Sequence, residues 1–70
     1  MAVSEEEAVI LKAEPWNVHG VEHVDVTLAF VDGRVESSRL GKESVPSDLK
    51  PGERVFASRA LNMVIGIRRP

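Results

Sequence analysis

VDVTLAFVDGRVESSRL, residues Val24 to Leu40, is the stretch whose reading decides the fold. Val24, Val26, Leu28 and Phe30 recur at every second position, with Asp25, Thr27 and Ala29 between them. Successive side chains of a strand point to opposite faces, so this spacing predicts a half-buried β-strand. Asp32-Gly33 follows, a pair suited to a type I′ hairpin turn because both central residues take positive φ. Arg34 to Leu40 returns as a second and far more polar strand. Its Glu36, Ser37, Ser38 and Arg39 form the surface on which a ligand is expected to meet the domain.

Working outward, Ala8 to Ala13 is apolar on both alternating faces, as a central strand requires. Ser4 and Glu7 match a helix capping box, but Pro15 would stop any helix within three turns, and a strand is expected instead. Pro15 to Gly20 reads as a connection in which Trp16, the single tryptophan, caps one end of the core. Beyond the hairpin, Ser44 to Leu49 has room for one helical turn. Lys50-Pro51-Gly52-Glu53 is a type II turn by composition, with proline second and glycine third. Arg54 to Ala60 and Met63 to Arg68 are the last two strands, broken apart by Leu61-Asn62. Val55, Ala57 and Arg59 share one face of the first, while Met63, Ile65 and Ile67 align on the second. Gly66 marks a bulge or a close backbone approach. Five short strands separated by turn residues predict an all-β domain: a small five-stranded barrel, OB-like or alternatively SH3-like, with at most one helical turn.

Seventy residues allow one domain, expected over 8–69, behind a flexible acidic N-terminus at 1–7. No apolar run is longer than Ala8 to Leu11, too short to span a bilayer, and no membrane partner is expected. There are no cysteines, which excludes a disulfide framework and suits a cytoplasmic protein. The net charge of −2 conceals an asymmetry. Residues 1–33 hold seven acids against Lys12, and residues 34–70 hold eight bases against four acids. No strongly basic domain of the kind that binds nucleic acid results.

Motifs for catalysis are missing. His19-Gly20-Val21-Glu22-His23 spells a His-x-x-Glu-His string, yet it contains glycine and precedes a strand. Extended at about 3.3 Å per residue, its histidines stand about 13 Å apart, too far to share one zinc. None of the serines sits in a nucleophile elbow, and no phosphate-cradling glycine loop occurs. The expectation is a non-enzymatic binding module with no metal or cofactor.

From Val21 to Ile67 the order of features resembles a TOBE/Mop-type domain. Ser44-Val45 matches the Ser-Val of that family. Leu49-Lys50-Pro51-Gly52 with Val55 matches its Leu-Lys-Pro-Gly-x-x-Val turn. Arg59-Ala60, then Asn62 and Met63-Val64-Ile65, matches its closing strand with arginine for lysine. The resemblance implies a barrel that pairs with a second copy as a homodimer, and that binds a small oxyanion such as molybdate or acts as a regulatory module. Ser44, Arg59 and Ala60 carry over as ligand-binding positions, with Arg39 and Lys42 adding positive charge. A hydroxyl, a guanidinium and backbone N–H groups can together replace an anion's hydration shell. Two other binding functions compete with it. One is a single-stranded nucleic-acid-binding OB-fold using Arg34, Arg39, Arg59, Arg68 and Arg69; only Trp16, Phe30 and Phe56 are available for stacking, so nucleic acid ranks below the anion. The other is a protein-interaction adaptor, whose acidic Glu5-Glu6-Glu7 and Glu14 would meet a basic partner.

Overall fold

A computed structural model describes residues 4–70. The elements are β1 (Ser4–Val18), β2 (Val21–Phe30), β3 (Val35–Gly41), a 3₁₀ turn (Lys42–Ser44), β4 (Arg54–Ala60) and β5 (Met63–Arg68). They form one antiparallel sheet in the order β3-β2-β1-β4-β5. Although the turn lies at Lys42–Ser44 and not over Ser44 to Leu49, the all-β class, the five strands and a single short helical turn agree with the sequence. Closure does not: β3 and β5 are edges, and no ladder joins them. The sheet curls around a core of Ala8, Ile10, Val26, Leu28, Phe30, Leu40, Val55, Ala57, Val64 and Ile67. No helix of the described residues is long and apolar enough to cross a membrane.

β1 is longer than its sequence pattern at both ends. Ser4 to Glu7 belong to the stretch expected to be flexible, but they pair with β4, Ser4 opposite Arg59 and Glu7 opposite Phe56. The first three residues of that stretch lie outside the described ones. At the far end Pro15 and Trp16 are strand residues, not a connection, opposite Val24 and His23. The connection shrinks to His19-Gly20, whose φ of 51° and 81° fit a two-residue type I′ turn. Pairs alternate between hydrogen-bonded and open from Val18–Val21 backward, which puts Pro15 on an open pair. Its missing N–H therefore turns away from β2, toward the side on which β1 has no neighbour. β4 stops there: Ile10 N donates to Glu53 O at 2.9 Å, Gly52 N donates to Ile10 O at 2.7 Å, and Val9 opposite Arg54 is the last laddered pair.

Two bulges change which residues face the core. Between Ile10 and Lys12 the register with β2 slips, so Leu11 is the extra residue and the inward set passes from Ala8 and Ile10 to Ala13. Between Val64 and Gly66 the register with β4 slips likewise, and Ile65 is extruded. The expected alignment of Met63, Ile65 and Ile67 fails for this reason: Val64 and Ile67 are buried, Met63 and Ile65 exposed. The β2–β3 turn also differs. Gly33 has φ 94° while Asp32 stays at negative φ, and Phe30 N donates to Arg34 O at 2.9 Å across a three-residue loop. That geometry is a turn followed by a left-handed glycine, the usual three-residue hairpin. The type II turn at Lys50–Glu53 forms as expected, with Gly52 at φ 89° and Glu53 N donating to Lys50 O at 3.1 Å.

Each free edge carries a device that resists strand addition. β1 past Ile10 has Pro15, β5 has the Ile65 bulge, and β3 has the inward-facing charge of Glu36.

Candidate functional site

The curled sheet has two ends, and they are finished differently. At the Phe30 end, Arg59 reaches inward from β4 and is only 13% exposed. Its Nε donates to Glu6 at 2.7 Å, its Nη2 to Glu36 at 2.9 Å and its Nη1 to the Asn62 carbonyl at 3.0 Å. Arg34 donates to the same Glu6 and Glu36 and, at 2.6 Å, to Asp32. Both guanidinium groups lie over the Phe30 ring, 4.9 Å and 5.2 Å from its centroid. Three strands that share no single ladder (β1, β3 and β4) are thus tied across the core by side chains. Hydrogen bonds from Arg59 and then Arg34 hold the Glu6 carboxyl below the usual range.

At the opposite end lies a cleft of about 560 Å³ between the β1–β2 hairpin and the β3–β4 connection. Ala13, Pro15 and Val24 line one wall and Val45, Pro46 and Leu49 the other. Trp16, Asn17, Glu22, His23, Lys42, Ser47 and Asp48 complete the lining. Its size and mainly apolar character are those of a small-molecule or side-chain site. β1 can wall it because β4 ends beside Ile10 and leaves Ala13 to Asn17 without a neighbour on that side. Lys42 Nζ sits 3.0 Å from Glu22 at the lining.

Trp16 does not cap the core. It is 42% exposed, donates from Nε1 to Asp25 at 2.6 Å, and carries the Arg39 guanidinium 3.9 Å over its ring. Arg39 in turn donates to Asp25 at 2.8 Å and 3.2 Å. Hydrogen bonds from Arg39 and Trp16 keep the Asp25 carboxyl low. Beside this stack a shallow polar groove of about 510 Å³ runs over Lys12, Glu14, Thr27, Ser37 and Arg39. It lies on the polar arm of the hairpin.

The five positions expected to bind a ligand divide between these regions. Arg39 lies on the polar groove and Lys42 on the cleft; Ser44 ends the 3₁₀ turn, its carbonyl against Gly66. Arg59 sits in the ionic cluster at the Phe30 end, and Ala60 closes β4 next to it. Arg39, Lys42 and Arg59 each already hold a carboxylate: Asp25, Glu22, and Glu6 with Glu36. His19 and His23 fall on a hairpin turn and a strand, and no cluster of three metal-ligating side chains occurs among the described residues. Sequence reasoning missed Val45, Pro46 and Leu49 as a wall. The available signal was Val45, Pro46 and Leu49, three apolar residues within one twelve-residue connection.

Compared with protein-family models, with curated proteins and with solved structures, the chain matches none.

Proposed function

We propose that this domain is a non-enzymatic binding module, a cytoplasmic small-ligand or regulatory β domain of the OB-like, TOBE-like kind, whose ligand surface is the cleft between the β1–β2 hairpin and the β3–β4 connection. The observation that carries this reading is the cleft itself, about 560 Å³ and walled by Ala13, Val24, Val45 and Leu49. Apolar walls with a few polar groups at known positions are the common design of a binding site. An oxyanion seat built from Arg39, Lys42, Ser44, Arg59 and Ala60 has less support. Its three cations are each occupied by a carboxylate, which an anion would have to displace. A nucleic-acid groove is disfavoured on the same ground, because binding a phosphate backbone draws on free positive charge. Strand addition or edge-to-edge homodimer formation meets Pro15, Glu36 and the Ile65 bulge at the three free edges.

An amide-shift screen tests the reading. The labelled chain is titrated with pentanol, then with molybdate, tungstate and sulfate. Pentanol is expected to move the amides of Ala13, Val24, Val45 and Leu49 in a saturable way. Perturbations by an oxyanion centred on Arg59 and Ala60, with the cleft silent, would overturn it.

A further inference from the structure

We infer that the cleft selects a cation, an ammonium or guanidinium carried on an apolar body, an inference that rests on the cleft being the binding surface. Eight of the nine Lys and Arg side chains lie within ion-pair distance of a carboxylate, Lys50 being the exception among the described residues. Those pairs occupy nine of the eleven acids, leaving Glu43 and Asp48 with none among the described residues. Both belong to the β3–β4 connection, and Asp48 lines the cleft. One of these two carboxylates, Asp48, therefore stands on a wall of this cleft, while Glu43 and Lys50, on the same connection, do not line it.

The opposite wall supplies Glu22, whose partner is Lys42. That pair is open to solvent on both sides, 70% and 58% exposed, and such pairs contribute little net stability. Lys42 is thus a loosely held internal cation resting on a carboxylate that a ligand cation can take over. Glu22 and Asp48 against Lys42 leave the lining anionic when His23 is neutral. Ala13, Pro15, Val24, Val45, Pro46 and Leu49 receive the apolar body. The chemistry fits a small alkylammonium or alkylguanidinium ligand.

Three probes with one apolar body and different heads test this: pentylamine, pentanol and pentanoate, each titrated into the full labelled chain at pH 7. Pentylamine is expected to move the amides of Val24, Val45 and Leu49 and to bind at least about threefold more tightly than pentanol, with pentanoate weakest. Lys42→Met removes the internal competitor and is expected to tighten pentylamine, while Asp48→Asn weakens it. Equal binding of the three probes, or weaker pentylamine binding in Lys42→Met, overturns the cation inference and leaves the cleft standing. Silence of the cleft amides toward all three takes down the cleft itself.

Discussion

The two ends of this sheet solve one problem in opposite ways. An open five-stranded sheet leaves its core exposed wherever the edges fail to meet. At the Phe30 end the gap is filled by ions: Arg59 and Arg34 lie over the ring and bind Glu6 and Glu36 from three strands. At the Trp16 end Arg39 and Asp25 gather on the exposed indole and leave the gap unfilled. The β3–β4 connection leans over the overhang of β1 and leaves a cavity. The closed end spends its charges on one another, and the open end keeps Asp48 and a weakly held Lys42–Glu22 pair. On the proposed reading, binding would follow from what each end leaves unsatisfied, with the Phe30 end structural and the cleft end available.

The most disruptive test removes what both ends share. Leu28 is fully buried in the core they enclose. Leu28→Ala is expected to cost about 2–5 kcal/mol, the range for emptying a leucine site in a packed core. Urea unfolding followed by Trp16 fluorescence and by far-ultraviolet dichroism should give coincident transitions at lower midpoint. Separate transitions would mean that the two ends are independent units, contrary to the single core.

Arg59→Ala separates the ends. It strips the stem from Phe30 and leaves Glu6 and Glu36 without their principal partner, an expected loss of about 1–2 kcal/mol. The cleft amides should keep their shifts. Arg39→Ala, at the other end, removes a solvent-exposed guanidinium from the indole and should cost less, its main readout a change in Trp16 emission. If Arg39→Ala proved the more damaging, the stack on Trp16 would be the true closure.

Acid should weaken the ion pairs of both ends. Arginine hydrogen bonds lower the carboxyl pKa of Glu6, Glu5, Asp25, Asp32 and Glu53 in the folded chain, in Glu6 through Arg59 and then Arg34. A lowered folded pKa means the unfolded state binds protons first as the pH drops. The stabilisation is whole above the unfolded carboxylate range, near pH 4, and is lost as pH falls through the folded values beneath it. Melting temperature is therefore expected to be level from pH 7 to about pH 5 and to fall steeply below about pH 4. A melting temperature that rises on acidification would contradict the ion pairs.

How much of this was legible in the sequence depends on the kind of interaction. Val24 to Phe30 announced β2 because every inward side chain is apolar, and Lys50-Pro51-Gly52-Glu53 announced its turn because proline fixes φ at the second position and glycine allows the positive φ needed at the third. Pro15 misled because proline reads as a breaker, while its placement on an open pair at an unpartnered edge is a property of the assembled sheet. Met63, Ile65 and Ile67 misled because one bulge reverses the period. The ionic cluster joins Glu6 to Arg59 across 53 positions, a distance no local pattern spans. The cleft was hidden for the same reason, since its walls come from a hairpin and a connection far apart in the chain.

The smallest expected effect sharpens what the closed end needs. Leu61 and Asn62 turn β4 into β5 with φ of 51° and 67°. Positive φ is cheap for asparagine and costly for leucine, whose Cβ meets the carbonyl oxygen. Leu61 recovers nothing by burial, being 79% exposed. Arg59 bonds the backbone carbonyl of Asn62, so the path of this turn matters to the cluster while the Leu61 side chain does not enter it. Leu61→Asn should therefore relieve the strain and keep the hydrogen bond, raising stability by about 0.5–1 kcal/mol with no change in the cleft. Destabilisation instead would show that Leu61 packs on the Phe30 end in solution, and that apolar contact closes that end together with the ions.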